Sequence, residues 1–231
     1  MTLPPFETME LRAKLVEFLD TKVMDPVTET MVSVGNYKFG VYAFFDYDGE
    51  PIYVGQTNER LRTRVRRHLT NQRTDAVAMK VLDPFEVFEI EVWPLSQYEG
   101  LPASAGVAKS HLNWLEYDIF QYLLTQSHFN AVLNEKSPLA LPQGTFQRPT
   151  GVRGRIVSDA VFEIRKHPDT RIARRAETLS LLAKVISERQ VQKGLRGTLL
   201  TQAKRLVWLA ERRLSEFSGQ PDDAIEQDPT E

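Results

Sequence analysis

Residues 40–55 read GVYAFFDYDGEPIYVG, and no other stretch constrains the fold as tightly. Two runs rich in Val, Ile, Tyr and Phe flank an Asp-Tyr-Asp-Gly turn, which predicts an antiparallel hairpin with strands over 39–46 and 50–55. With Asp48-Gly49 as a two-residue loop, Tyr47 pairs with Glu50, Phe44 faces Tyr53 and Tyr42 faces Gly55. Side chains alternate along strands, so Tyr42 and Tyr53 emerge on one face as diagonal neighbours. A four-residue loop preserves that outcome and a three-residue loop destroys it. Gly55 then reads as room for something to sit against a pair of hydroxyls.

A helix is predicted over 58–69, capped by Thr57 or Asn58. Arg60, Arg64 and His68 recur every fourth residue and share one stripe, beside an apolar stripe of Leu61, Val65 and Leu69. Arg64 and His68 are therefore expected at the edge of the buried face, with Arg62, Arg66 and Arg67 pointing elsewhere. A third strand is predicted over 85–95 and a second long helix over 107–124. On that helix Glu116 lies between Leu112 and Phe120 at i±4, and Asp118 lies between Trp114 and Tyr122. A carboxylate on an apolar stripe is costly unless it is paired or holds a cation. Either acid can meet that demand by pairing with an arginine of 60–67.

The formal net charge of −2 conceals an uneven distribution. Residues 1–147 carry 13 Lys+Arg against 19 Asp+Glu, residues 148–213 carry 16 against 6, and residues 214–231 carry none against 6. Within the acidic first part, residues 60–73 hold six arginines and no acid. Two basic clusters, one abutting the hairpin, point to a polyanionic partner such as nucleic acid. The chain has no cysteine, which excludes disulfides, thiolate metal sites and a cysteine nucleophile and fits a cytoplasmic protein. No apolar run is long enough to span a membrane, and the N-terminus lacks the order of a signal peptide.

These readings give an α+β protein. Residues 1–37 are an N-terminal helical extension with a helix over 9–24, and 38–135 are a core with an antiparallel three-stranded sheet flanked by helices. A Pro- and Gly-rich linker follows at 136–157. A basic helical segment comes next at 158–217, with helices over 158–166, 170–192 and 198–217. In the last of these, Leu199, Ala203, Leu206, Ala210 and Leu214 mark an apolar stripe, with Arg205 and Arg212 away from it. Residues 218–231 read as a disordered acidic tail.

GVY at 40–42, YVG at 53–55, the arginine and histidine of RVRRH at 64–68, the glutamate of WLEYDIF and Asn130 occur in this order. Over residues 38–132 the chain resembles the GIY-YIG nuclease superfamily, most closely its restriction-endonuclease branch. The resemblance implies a metal-dependent endonuclease that hydrolyses DNA, of restriction or mobile-element type. It assigns Tyr42 to the tyrosine beside the attacking water and His68 to the histidine that assists it. Tyr53 becomes the tyrosine that helps hold water and phosphate, and Arg64 the arginine on the scissile phosphate. Glu116, favoured over Asp118 by the resemblance alone, becomes the lone carboxylate for one divalent cation, Mg2+ or Mn2+. Asn130 becomes the asparagine that braces the site. Two places depart from the pattern. Gln56 stands where many members have lysine, and Asn130 lacks a preceding proline, so Asn134 is its alternative.

The residue types suit that chemistry. An arginine offers a fixed fork to two phosphate oxygens, and Mg2+ needs few protein ligands because it keeps waters and phosphate oxygens in its shell. A tyrosine, with an ordinary pKa near ~10, needs nearby positive charge to act as a base. Arg60, Arg62, Arg66, Arg67 and Arg73 are the expected DNA-backbone contacts, with the basic helical segment as a second candidate surface. The expected partner is DNA, with a homodimer as an open arrangement and no small-molecule cofactor. Two alternatives stand beside this reading: a nucleic-acid-binding protein with a vestigial nuclease fold, and a structure-specific incision nuclease of repair type.

Overall fold

Strand β3 (Gly40–Phe45) is buried at all six positions, because it is the second strand of a sheet covered on both faces. The computed structural model describes residues 5–70, 82–134, 138, 146–188 and 193–218. Its elements are α1 (Phe6–Asp20), β1 (Lys22–Met24), β2 (Met31–Ser33), β3, β4 (Pro51–Thr57), α2 (Leu61–Thr70), β5 (Glu89–Pro94), α3 (Gly106–Gln126), β6 (Val152–Arg155), α4 (Asp159–Arg165), α5 (Pro168–Glu188) and α6 (Lys193–Phe217). The N-terminal helix ends four residues sooner than its sequence pattern predicts, and β1 and β2 form a separate two-stranded ribbon.

The main sheet has four strands in the order β4-β3-β5-β6, not three, and each neighbouring pair is antiparallel. The added strand β6 lies inside the predicted linker. Its Val152 pairs with Val92 and its Arg155 with Glu89. A four-residue strand carrying two arginines has too little apolar alternation to be read from sequence. Here the arginines are neutralised locally: Arg153 Nε donates to Glu89 at 2.9 Å and its guanidinium stacks on the Phe45 ring.

One face of the sheet is packed by Leu11, Leu15 and Phe18 of α1 and by Leu61, Val65 and Leu69 of α2, against Tyr42, Phe44, Ile90 and Val92. The other face packs Val41, Ala43, Phe45 and Val54 against Leu112, Leu115, Ile119 and Leu123 of α3. The expected apolar stripe of α2 therefore faces the sheet as predicted.

The hairpin reaches its expected register by an unexpected route. Asp46 N donates to Glu50 O and Gly49 N donates to Asp46 O, which leaves a three-residue loop, Tyr47–Gly49, with Gly49 at a φ of 78°. That loop alone would shift the two strands by one residue and separate the tyrosines. A β-bulge cancels the shift: Phe45 pairs with Pro51 and Phe44 with Tyr53, so Ile52 is the extra residue. Tyr42 thereby faces Gly55 after all.

The basic helical segment docks on the core through its arginines. Arg175 of α5 and Arg205 of α6, each 2 % exposed, both donate to Asp46 Oδ2, at 2.8 and 2.5 Å. Arg171 and Arg212 pair with Asp48, Arg174 with Asp83, and Arg165 with Glu7. Much of the charge expected to meet DNA is therefore turned inward, onto the acids of the hairpin turn. The face of α6 is also not the predicted one. Leu195, Thr198, Gln202, Arg205 and Leu209 are buried, whereas Leu214 of the expected apolar stripe is exposed. Apolar periodicity misplaces this helix because its inner face mixes Leu195 and Leu209 with the polar Thr198 and Gln202 and with Arg205, which pairs with Asp46.

Candidate active site

Tyr42 stands at the middle of β3, opposite Gly55 of β4, and its ring crosses over that glycine. A Cβ built at position 55 would lie 2.6 Å from the Tyr42 hydroxyl and 2.9 Å from the Tyr53 ring. The space left by the glycine is thus filled by Tyr42 itself rather than held open for a ligand. Gly55→Ala is expected to destabilise the protein by about 1–3 kcal/mol through displacement of the phenol. A urea midpoint equal to that of the wild type would contradict this placement.

Tyr53 comes from the same face, its ring stacked 5.7 Å from Phe44 and 6.3 Å from Tyr42. Arg64, one turn into α2, donates from Nε to the Tyr42 hydroxyl at 3.3 Å. Neither Nη group has a hydrogen bond among the described residues, so the outer fork of the guanidinium is available. Burial pushes the Tyr42 phenol above its ordinary range, and the positive charge of Arg64 works against that rise. The phenol is therefore protonated at neutral pH and can act as a base only where more positive charge is brought to it.

His68 is 2 % exposed and lies against the Tyr53 ring, 4.5 Å between centroids. It is next to both tyrosines but hydrogen-bonded to neither, and its two ring nitrogens have no partner among the described residues. Burial, helped by the charges of Arg64 and Arg67, lowers its pKa to about 4. The imidazole is neutral at physiological pH. Because its folded pKa lies below its unfolded one, the unfolded chain binds the proton first, and stability is lost as pH falls from 6.5 towards 4. That loss is expected to be on the order of 3 kcal/mol at this site. Urea unfolding at pH 7 and pH 4.5 should show a steeper loss for the wild type than for His68→Phe, and parallel curves would overturn the assignment.

On the opposite face of the sheet α3 brings Glu116 against β4. Gln56, the residue that departs from lysine, points to that side and donates from Nε2 to Glu116 Oε2 at 3.0 Å and to Asn113 Oδ1 at 2.9 Å. Asn113 lies one turn before Glu116 on the same helix face, a spacing that marks it as a partner in retrospect. Burial pushes the Glu116 carboxyl up to about 7, opposed by the Gln56 hydrogen bond and the Arg64 charge. Glu116 also raises the phenol of Tyr42. The three groups share one electrostatic neighbourhood although they come from both faces of the sheet. Asp118, the rival acid, is instead satisfied by Arg148 Nε at 2.7 Å.

Asn130 does not join them. It is exposed, adopts a left-handed backbone with φ 48°, and donates its N–H to Ser127 O. Asn134 does the bracing: its Oδ1 accepts from Val54 N at 3.0 Å and its Nδ2 donates to Val54 O at 2.8 Å, between Tyr53 and Gly55. Among the predicted DNA contacts, Arg62 is paired with Asp20 and Arg67 with Glu59. Arg60 and Arg66 are exposed with no ion pair among the described residues, and Arg73 lies outside the described residues.

Two tyrosines thus face one way from the hairpin, and an arginine from the next helix joins one of them. Residues 38–101 match the family model of the GIY-YIG catalytic domain. No curated protein and no solved structure matches the chain. The GIY-YIG match supports the nuclease superfamily and a nuclease fold, and it takes in Tyr42, Tyr53, Arg64 and His68. It ends before Glu116 and Asn134, whose association with the GIY-YIG segment rests on the hydrogen bonds above.

No group of three or more His, Asp or Glu side chains able to hold a metal occurs among the described residues. A single-carboxylate site remains consistent with the structure. Glu116 Oε1 has no hydrogen bond among the described residues, and a half-buried carboxylate with a raised pKa has much to gain from a cation. Mg2+, with waters and phosphate oxygens completing its shell, suits such a donor.

Proposed function

We propose that the protein is a metal-dependent endonuclease that hydrolyses DNA phosphodiester bonds. The observation that carries this reading is the Arg64–Tyr42 hydrogen bond, within a segment that matches the nuclease family model, with the buried carboxylate of Glu116 brought into its electrostatic reach from outside that segment. Arg64 is held at Nε by Tyr42, so its Nη fork can take two oxygens of a phosphate without reorienting. Tyr42 and Tyr53 line the place where a water would attack the phosphorus in line with the leaving sugar oxygen. Glu116 is the residue that would hold the divalent cation, which supplies charge stabilisation to the phosphate and leaving oxygen.

In hydrolysis a bond forms between the water oxygen and phosphorus, the bond to the leaving sugar oxygen breaks, and the proton lost by the water is matched by one that the leaving oxygen takes up from solvent to become a hydroxyl. This chain's part is to orient the water and phosphate and to offset developing negative charge through Arg64. His68, neutral and buried, supports the ring of Tyr53 rather than supplying charge. Asn134 and Asn113 are positioning residues, the first for β4 and the second, through Gln56, for Glu116.

A polar groove of roughly 350 Å3 adjoins this site, lined by Gln56, Thr57, Asn58, Ser104, Lys109 and Asn113. It offers amides, hydroxyls and one lysine to the strand flanking the cut, and exposed Arg60 and Arg66 add backbone contacts. The restriction-like or mobile-element type remains the reading for the chain as a whole. Cleaving both strands with one site per chain calls for a homodimer or two successive encounters.

The test is incubation of the protein with supercoiled, linear and single-stranded DNA in Mg2+ or Mn2+, followed by sequencing of the fragment ends. Discrete ends support a sequence-specific enzyme. DNA left intact under every condition, with binding unaffected by Glu116→Ala, would replace this reading with that of a vestigial nuclease fold.

A further inference from the structure

The outer face of α6 carries an apolar seam that is left exposed among the described residues. Leu200, Val207 and Leu214 recur every seventh residue and are 59 %, 53 % and 70 % exposed. At 100° per residue they form a nearly straight line, diametrically opposite the buried line of Leu195, Gln202 and Leu209. Ala203 and Ala210 border the seam on one side, small enough for another helix axis to approach closely. Lys204 and Glu211 border it on the other side, and neither has an ion pair among the described residues. Large apolar residues in heptad spacing on an exposed face mark a helix-pairing surface.

We propose that this seam docks on the same seam of a second copy of the chain, with the two α6 helices antiparallel. The charges choose both the occupant and the orientation. An antiparallel pair centred on Val207 sets Val207 against Val207 of the second copy and Leu200 against Leu214 of the second copy. It also brings like edges together, so Lys204 faces Glu211 of the second copy and Glu211 faces Lys204 of the second copy. The surface is therefore complementary to itself, as a twofold interface must be. A parallel pair would instead set the charged edge against the alanine edge, where Arg196 is the only charge. The inference is independent of the reaction proposed above, because no residue of the seam lies near Tyr42, Arg64 or Glu116 in the contacts described.

The experiment is sedimentation equilibrium of the full chain from low micromolar to about 100 µM, a range set by the affinity of modest helix-pair interfaces. The wild type is expected to reach dimer mass, and Val207→Glu to stay at monomer mass with unchanged helical circular dichroism. Lys204→Glu and Glu211→Lys, each placing like charges opposite one another twice, should weaken self-association about tenfold. Mixing those two variants should restore the dimer, because each chain then supplies the charge that the other needs. A wild type that is monomeric throughout overturns the proposal, whether the seam is then bare or covered by residues 219–231. A dimer unaffected by Val207→Glu, or no recovery on mixing, overturns it equally.

Discussion

Glu116→Gln is expected to lower the rate of DNA cleavage by about 10³-fold, and also to make the metal-free protein more stable above pH 7. The two effects share one cause. Burial holds the carboxyl at about 7, so the folded protein resists ionising a group that the unfolded chain ionises near 4.5. The folded state thus binds the extra proton between those values, and stability is lost as pH rises from 4.5 through 7. Allowing for solvent that reaches a half-buried group, the loss is on the order of 2 kcal/mol. Glutamine keeps the shape and removes the charge. The variant should match the wild type at pH 4 and exceed it at pH 8, by urea unfolding without metal. Mn2+ should narrow that gap by stabilising only the wild type, less so below pH 7, where a proton competes for the same oxygen. Equal cleavage by variant and wild type would remove Glu116 from the reaction. Equal stability at every pH would show that the carboxylate is not confined as described.

Asp46→Ala is expected to cost about 3–5 kcal/mol, the largest stability effect of any single change at an ion pair here. The carboxylate is 1 % exposed. Its Oδ2 receives Arg175 and Arg205, while its Oδ1 receives the backbone N–H groups of Asp48 and Glu50. Removing it leaves Arg205 buried with no carboxylate partner among the described residues, while Arg175 keeps Glu86, and it undoes the turn that sets the register of Tyr42. Arg205→Met should cost less, because one arginine then still matches one aspartate. If Asp46→Ala unfolded at the wild-type urea concentration, the C-terminal helices would not be held by this cluster. Limited proteolysis gives a second readout: α5 and α6 should become cleavable before the sheet does.

The core of the site was legible in the order of residues because its parts are local. Strand alternation puts Tyr42, Phe44 and Tyr53 on one face, and helical spacing puts Arg64 beside them. Glu116 and Asp118 stand out equally, because an acid on an apolar stripe demands an explanation, and only the family resemblance chooses between them. The bracing asparagine was harder, since Asn130 and Asn134 sit on an irregular stretch where no period tells which side chain meets β4. Only the pairing of Leu133 with Ile52 carries Asn134 to Val54. The hairpin has a three-residue loop with a bulge at Ile52 in place of the expected two-residue loop for a similar reason, because a bulge is a compromise between turn and sheet and has no short-range signature.

What the sequence alone determined is the hairpin of paired tyrosines and the arginine helix that follows it, both set by side-chain periods that operate within a few residues. The tertiary structure decided where the charges of residues 148–213 go. Composition shows an excess of arginine but not what it faces, and the acids that bury Arg175 and Arg205 lie more than 80 residues away. A desolvated guanidinium is stable only against a carboxylate, so those pairings turned α6 over. Arg205 went into the protein together with Leu195 and Leu209, and Leu200, Val207 and Leu214 were left outside.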